Sequence, residues 1–324
     1  MATEHACAEP VDLASVRFHP RESYGEAALD VVGGHRLDRI VAVPAQLPTL
    51  GAYVPQVRFR RPHGPLPQRA TYGIRLDQII RRAVRTADEV RAFAGIPDSA
   101  ALVLLCFADD AVLEDLWDDA SRFRSVAAGG WDVITGPSYS LWHRRPRPFH
   151  FHSLKRSYVA FEAFQQEGAT AIPRADFIDT RDVERQADWF NANPCVEMVG
   201  FDWMTSRGQA HWDTDVDLLA LFDNLTGYRL RYLINGTTTF PRIRYLFELL
   251  GSDRLTLSDA TAVGPIPADS PTSVDELSAD MLSDPAWRRR LALREERIAQ
   301  ARAALRADAN PAVGKPLSIA SEAA

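Results

Sequence analysis

Cysteine is scarce in this sequence, which limits the chemistry open to it. Only three occur among 324 residues, Cys7, Cys106 and Cys195, and no two of them form a CxxC pair. An odd number at such wide spacing excludes a disulfide framework and a cysteine zinc site. Cys106 and Cys195 lie in apolar, strand-like runs, which favours small buried side chains over nucleophiles. Such cysteine usage is typical of a reducing compartment, so we expect a cytoplasmic protein.

Long hydrophobic runs are also missing. The longest covers residues 100–108, far short of the roughly 20 residues that a membrane-spanning helix needs. The first residues, MATEHACAEP, lack the basic stretch and apolar stretch of a signal peptide. We therefore expect no membrane partner.

The sequence has no excess of basic residues. Its formal net charge is −6, with 37 Lys and Arg against 43 Asp and Glu. This balance excludes a protein coated in positive charge for general nucleic-acid binding, but it leaves room for a local basic patch. Hydrophobic residues make up 46% of the chain, enough for a sizeable core. Abundant alanine, arginine, aspartate and proline are typical of a bacterial genome rich in GC.

Six apolar segments are predicted to be strands, and each begins a unit of strand and helix about 25 to 35 residues long. They are residues 101–107, 131–135, 170–173, 195–201, 229–234 and 255–257. This alternation predicts parallel strands joined by helices. Residues 39–44 and 53–60 supply one or two further strands, which brings the count close to eight. We predict a TIM-barrel-like (β/α)8 fold that is irregular at its N-terminal part. An open doubly wound parallel sheet is the alternative, but no GxGxxG or Walker A motif follows any strand.

The domain organisation follows from composition. We predict a flexible lead-in (1–37), the barrel domain (38–263), a linker (264–283), a C-terminal helix (284–307) and a disordered tail (308–324). A narrow apolar stripe that includes Trp287 and Leu305 runs along the helix. It predicts packing on the outside of the barrel, with a homodimer seam as the alternative.

Polar residues follow nearly every predicted strand. In a barrel these carboxyl-terminal tips meet at one rim, where active sites lie. Asp202 follows a wholly apolar strand, so partial burial would suit it to act as a general base or nucleophile. Trp203 beside it can stack on a ring; an ordinary loop acid paired with Arg174 or Arg207 is the alternative. The candidates are Asp109, Asp110, Ser138, Tyr139, Ser140, Arg174, Asp176, Asp202, Trp203, Asn235, Ser258 and Asp259.

One segment, residues 142–156, is strongly basic. It holds five Lys or Arg, three His and no acid. Arg144, Arg145 and Arg147 are suited to bind phosphate or carboxylate groups, and the aromatics between the basic residues are suited to stack on bases. An ordinary solvated loop is the alternative. His150 and His152 resemble a metal pair but lack a partner acid or histidine, so we predict no metal and no cofactor.

Two sequence patterns flank this basic segment. The strand before it continues into D-x-x-x-x-P-S-Y-S at residues 132–140, and the strand after the following helix ends in I-P-R-A-D at residues 172–176. In this order the patterns resemble a family of uncharacterised bacterial, plasmid and phage proteins, a domain of unknown function, over roughly residues 100–260. Ser138 stands where that family's pattern has aspartate. The resemblance implies a protein of a mobile genetic element.

The order of strands and helices is similar, more distantly, to that of tRNA-guanine transglycosylase-like barrels. Those barrels exchange a base on a nucleic acid with two aspartates and often carry zinc bound by cysteines, which this sequence lacks. This resemblance implies that Asp202 and Asp132 are the acids to test.

These observations together predict a barrel enzyme for a phosphate-bearing or nucleobase-containing substrate, a transferase or hydrolase of the nucleotide or nucleic-acid type. Its expected partner is an anionic small molecule or a nucleic acid. The alternative is a non-catalytic nucleic-acid- or partner-binding protein of a mobile genetic element. The predicted catalytic residues are Asp202, Asp176 and Asp132. The predicted substrate-binding residues are Ser138, Tyr139, Ser140, Arg144, Arg145, Arg147, Arg174, Trp203 and Asn235.

Overall fold

The computed structural model describes most of the chain between residues 29 and 308. The described residues are 29–30, 32–57, 66, 69–80, 86–141, 145–204, 208–236, 239–259 and 284–308. Most of the predicted lead-in, the whole predicted linker (264–283) and all but the first residue of the predicted tail lie outside these ranges.

Eight parallel strands form the centre of the described structure. They are β1 (Tyr53–Pro55), β2 (Thr71–Arg75), β3 (Ala101–Leu105), β4 (Val133–Thr135), β5 (Ala171–Ile172), β6 (Met198–Asp202), β7 (Arg231–Asn235) and β8 (Leu255–Asp259). They pair as two four-stranded sheets, β1-β8-β7-β6 and β2-β3-β4-β5. Isolated parallel bridges, Gln56 to Gly73 and Arg174 to Gly200, connect the sheets at both junctions. The strands therefore follow chain order around a barrel-like ring, which confirms the predicted (β/α)8 class over the open sheet.

The helices lie between and after the strands. They are α1 (Leu76–Ile80), α2 (Ala87–Ala94), α3 (Asp110–Trp117), α4 (Ala120–Ala127), α5 (Arg147–Gln166), α6 (Thr180–Ala192), α7 (Gln209–Leu225), α8 (Phe240–Leu250) and α9 (Asp284–Asp308). None of the described helices has both the length and the apolar character needed to cross a membrane.

Two apolar cores result from the alternation of side chains along the strands. The larger one packs the outer face of the strands against the helices and includes Tyr72, Leu104, Phe161 and Phe222. The smaller one contains the side chains from the opposite strand face, which fill the inside of the ring. Its members are Leu50, Val54, Val103, Leu105, Phe107, Val133, Ile172, Met198 and Leu233. The filled interior leaves the loops at the strand ends to form a site.

The first strands differ from those predicted. Residues 39–44 are not a strand: the backbone N–H groups of Val41, Ala42 and Val43 donate to side chains of Glu162, Asn193 and Gln165. The second strand is instead β2, a segment that was not predicted as a strand. The strand predicted within residues 53–60 is present as β1, which pairs with β8 and is bridged to β2.

The packed structure also begins earlier than predicted. Leu29, Val32 and Leu37 are buried in the outer core. The boundary of the folded part therefore lies before residue 38, at least as far back as residue 29.

The described part of the basic segment is mostly helical rather than a loop. Helix α5 begins at Arg147, inside the basic segment, and Pro148 lies in its first turn, where proline needs no hydrogen-bond donor. Lys155 and Arg156 are buried rather than exposed. At the start of α2, Thr86 forms a capping box with Glu89.

Helix α9 packs on the outside of the barrel, as predicted, against α8 and β1. Leu291, Ile298 and Ala301 are buried there. Arg294, also buried, forms an ion pair with Asp259 at the end of β8. A homodimer through this helix stays a prediction.

Candidate functional site

A cavity of about 550 Å³ opens at the carboxyl ends of the strands. We call it the carboxyl-end cavity. Its walls come from the loops after β2 to β6 and from the first turns of α7. The charged or titratable side chains that line it are Arg75, Asp109, Asp110, Arg174, Asp176, Asp202, His211 and Asp215, and the aromatic ones are Phe107, Tyr139, Phe177, Phe201 and Trp203. The cavity thus lies where catalytic residues of barrel enzymes are found.

Arg174 and Asp176, both predicted, form an ion pair in the wall. Nη2 of Arg174 donates to Oδ1 of Asp176 at 2.7 Å, and Nε lies 2.6 Å from Oδ2. The Arg174 side chain is only 5% exposed. Its Nη1 is buried and has no hydrogen-bond partner among the described residues. A buried guanidinium N–H without a partner costs free energy, so this atom is suited to donate to a ligand.

The pKa of Asp176 is raised from 3.8 to about 6, chiefly because burial disfavours the charged carboxylate. The nearby charges of Asp202 and Asp215 raise it further, whereas Arg174 opposes the increase. Three carboxyl groups therefore share one region of the cavity. A carboxyl with a pKa near 6 can both give and take a proton near neutral pH.

The backbone of Asp176 is hydrogen-bonded to the side chain of Gln186, which lies on α6. Nε2 of Gln186 donates to the Asp176 carbonyl at 2.6 Å, and its Oε1 accepts from the Asp176 N–H at 3.3 Å. The Tyr158 hydroxyl donates to the same Oε1 at 3.1 Å. These three hydrogen bonds fix the position of the carboxyl relative to the barrel.

Asp202 is the last residue of β6, and its carboxylate accepts two hydrogen bonds from neighbouring residues. Oδ1 accepts from the Met204 N–H at 3.2 Å and from Nδ2 of Asn235 at 2.9 Å. Asn235 in turn accepts from Nε2 of Gln56 at 2.5 Å. This row of two amides crosses from β1 to β6 through β7. Because Asn235 must present its donor to Asp202, its oxygen is left for Gln56, so the row has a fixed direction.

Asn235 is fully buried beneath the cavity and does not line it. We predicted it to bind substrate, but the structure shows contacts to Asp202 and Gln56 instead. The turn that follows it requires glycine. Gly236 has a φ of +95°, and a Cβ there would lie 2.6 Å from the Met204 backbone N. The loops after β6 and β7 can therefore pack closely.

The aromatic candidates Tyr139 and Trp203 line the cavity. Trp203 is 8% exposed and packs edge-on against Trp212. The Tyr139 ring lies under the guanidinium of Arg156, with the Cζ atom 4.0 Å from the ring centre. Burial raises the pKa of the Tyr139 hydroxyl, which has no hydrogen-bond partner among the described residues. Tyr139 therefore stays neutral near pH 7 and can donate.

The two predicted serines also line the cavity, but the hydroxyl of one of them already has a hydrogen-bond partner in the protein. The Ser140 hydroxyl donates to Asp110 at 2.8 Å. The Ser138 backbone N–H donates to the Cys106 carbonyl at 3.2 Å and so anchors the loop after β4 to the end of β3.

Asp132 does not lie at the cavity, which corrects its predicted catalytic role. It precedes β4 and is therefore at the amino end of that strand, on the opposite side of the barrel. Its carboxylate accepts from the Leu102 N–H at 2.7 Å and forms an ion pair with Arg91 at 2.5 Å. These contacts are structural.

None of the described arginines of the basic segment lines the cavity either. Arg147 forms ion pairs with Asp182 and Asp179, at 2.6 and 3.1 Å. Arg145 is exposed and lies over the Phe149 ring. Arg144 is outside the described residues. Arg147 is thus paired with aspartates of the same protein. The role of this segment in binding an anion or nucleic acid stays a prediction.

Arg75, His211 and Asp215 line the cavity but were not among the predicted site residues. Arg75 ends β2, the strand that the sequence analysis missed, and it pairs with Asp77 at 3.0 Å. The short alternating sequence TYGIR was the only local signal for it. His211 and Asp215 lie in the first turns of α7, where their spacing of four residues places them on one face.

No group of three or more His, Cys, Asp or Glu residues in the described ranges has an arrangement that could hold a metal ion. Burial and the charge of Arg156 lower the pKa of His152 to about 3, so it is neutral at pH 7.

Comparisons with known proteins give only remote similarities. No protein-family model and no curated protein matches the sequence. One similar structure is a "putative fructose-1,6-biphosphate aldolase" from Coccidioides immitis, with 10% identity, a TM-score of 0.38, and coverage of 87% of this chain and 99% of that one. Another is the carboxyl transferase domain of Rhizobium etli pyruvate carboxylase with pyruvate, with 13% identity, a TM-score of 0.38, and coverage of 90% and 59%. At these scores the barrel assignment depends on the strand pairing described above.

Proposed function

We propose that the protein is an enzyme that binds a nucleobase-containing small molecule in the carboxyl-end cavity and transfers protons through Asp176. The observation that carries this proposal is the Arg174–Asp176 pair. It combines a buried guanidinium N–H without a partner among the described residues with a carboxyl whose pKa is about 6.

The substrate class follows from the charges and rings of the cavity. Among the described lining residues, five are aspartates and two are arginines, so the balance is acidic. Such a cavity disfavours a phosphate group inside it. Carboxylates instead accept hydrogen bonds from the ring N–H and amino groups of a base, and Nη1 of Arg174 can donate to a ring carbonyl.

The aromatic side chains support the same substrate class. Phe177 and Trp203 line the cavity beside Asp176 and Asp202, and aromatic side chains bind flat bases by stacking. The volume lies within the range of about 300–1,000 Å³ that is typical of small-molecule sites. A phosphate on the substrate would then lie towards the rim, outside the acidic part.

The two carboxyl groups differ in environment, as the acid and base of an enzyme usually do. Asp176, in its protonated form, donates a proton to the departing ring nitrogen of the base. Asp202 acts as a carboxylate, either on the sugar carbon as a nucleophile or on a water molecule as a base. The reaction is a hydrolysis when water replaces the base and a transfer when another acceptor replaces it.

The test is turnover of nucleosides and 5′-nucleotides, with the released base measured by chromatography. We expect release by the unmodified protein and a loss of about 100-fold or more in Asp202→Asn and Asp176→Asn. The control is Asp188→Asn, because Asp188 is exposed on α6 and does not line the cavity. Full activity of Asp202→Asn, or no release or exchange of any base, would contradict the proposal.

A further inference from the structure

A second cavity, of about 400 Å³, lies on the opposite side of the barrel. We call it the amino-end cavity. The chain entering β1 and β2 forms one wall and helix α9 forms the other. Its lining includes Arg69 and Thr71 on the barrel side and Glu295 and Arg302 on the helix side. The cavity therefore spans the contact between the C-terminal helix and the barrel.

Hydrogen-bond donors without partners among the described residues lie around this cavity, as they do around the carboxyl-end cavity. Among the described residues, seven buried side-chain N and O atoms have no hydrogen-bond partner, and three of them belong to residues of its lining. They are Nε of Arg69, Oγ1 of Thr71 and Nε of Arg302. Thr71 as a whole is only 2% exposed. Buried polar groups are normally paired, so such a cluster indicates that something else completes their hydrogen bonds.

The charges around the cavity indicate what that partner is. Its described lining holds two guanidiniums and one carboxylate, and the carboxylate of Glu295 is already paired with Arg69. Nη2 of Arg302 donates to the Ser252 carbonyl at 3.0 Å, and its nearest acid, Asp253, is 3.6 Å away and 86% exposed. Arg302 thus lacks a close, buried counter-charge among the described residues. All three unpaired atoms can donate a hydrogen bond, so an acceptor with negative charge fits best.

We propose that the amino-end cavity binds a small oxyanion, a carboxylate or a phosphate, between the barrel and α9. The anion accepts from Thr71 and Arg69 on one side and from Arg302 on the other. It therefore joins α9 to the barrel and stabilises that contact when bound. This site is independent of the nucleobase site, because the two cavities share no lining residue.

The test measures binding of inorganic phosphate, acetate and citrate by calorimetry and by thermal unfolding, at constant ionic strength with chloride as the reference. We expect one or more of these oxyanions to bind and to raise Tm. We expect Arg302→Gln to weaken binding about tenfold or more, because a hydrogen bond to a charged group is lost. Arg297→Gln is the matched control: it removes the same charge from an exposed position on the same helix, and its affinity should equal that of the unmodified protein.

Thr71→Val separates binding from folding. It removes only the hydroxyl, which has no hydrogen-bond partner among the described residues, so in chloride its Tm should not fall. Its affinity for the oxyanion should nevertheless fall. Tighter binding of phosphate than of acetate and citrate would identify the ligand as a phosphate, and the reverse order would identify it as a carboxylate. The proposal is overturned if no oxyanion raises Tm more than chloride does, or if Thr71→Val and Arg302→Gln bind as tightly as Arg297→Gln.

Discussion

Replacing Asp176 with asparagine should change how the stability of the protein depends on pH. In the folded protein the pKa of this carboxyl is about 6, against its ordinary value of 3.8. Between these two values the folded state holds a proton that the unfolded state has released. The free energy of unfolding therefore falls as pH rises through this window. About one pH unit above the folded-state pKa the loss is nearly complete.

The size of the effect follows from the gap between the two pKa values. At roughly 1.4 kcal/mol per pH unit, a gap of about 2 units corresponds to about 3 kcal/mol. The Asp176 side chain is 19% exposed, so solvent screening reduces this value only in part. Asp176→Asn removes the titrating group. The free energy of unfolding of the unmodified protein, minus that of the variant, should thus fall by up to about 3 kcal/mol from pH 3.5 to pH 7.

Urea denaturation at half-unit pH intervals measures this difference. The control is Asp188→Asn. Asp188 is exposed on α6, the helix that also carries Gln186, so this variant should differ from the unmodified protein by the same amount at every pH. A difference between the unmodified protein and Asp176→Asn that stays constant from pH 3.5 to 7 would refute the reasoning. So would a difference that increases with pH, since that would mean that the folded state favours the charged carboxylate.

Three further predictions concern stability and can be checked by urea or thermal unfolding. Asn235→Leu leaves Asp202 and the buried Gln56 without their shared partner and should cost about 1–3 kcal/mol; an unchanged stability would mean that the amide row does not matter. Arg294→Leu leaves the carboxylate of Asp259, which is 2% exposed, without its ion-pair partner and should cost about 3–5 kcal/mol, whereas Arg297→Leu should cost little. Gly236→Ala should lower stability by more than about 1 kcal/mol, and by more than Gly227→Ala, whose Cβ would meet no atom within 4 Å; equal effects would contradict the close packing against Met204.

The barrel was predictable because its strongest signals are local. Six strands lie in short segments rich in apolar residues, and the helices between them have helical spacing, so the class and the order follow from the sequence. Strand β2 was missed because TYGIR is short, contains a glycine and follows a segment rich in proline. The close packing at Gly73 is visible only in the fold: a Cβ at that position would lie 3.0 Å from side chains of Leu105 and Val54, which would have to shift.

The site was predictable only in part, for a different physical reason. Strand direction places Asp176, Asp202 and Trp203 at one rim, and this follows from the sequence. The same rule excludes Asp132, which comes before its strand rather than after it. The partners of buried charges do not follow from the sequence. Arg156 pairs with Glu114, 42 residues away, and Arg147 pairs with Asp182, 35 residues away. A basic segment therefore looked exposed when much of its charge is neutralised inside the protein.

The resemblance to proteins of mobile genetic elements stays a prediction, as does a cytoplasmic location. Both depend on short sequence patterns or composition rather than on the geometry of the site. The proposed substrate class, in contrast, depends on side chains whose positions the fold determines, and it can be tested without knowing the origin of the protein.

The most direct test of the central claim is calorimetric titration with a purine nucleoside at pH 6, in two buffers of different ionisation enthalpy. The difference between the buffers gives the number of protons taken up or released on binding. Because Asp176 is about half protonated at this pH, we predict binding with a fractional proton exchange that disappears in Asp176→Asn. Absence of binding, or a proton exchange that Asp176→Asn leaves unchanged, would contradict the account.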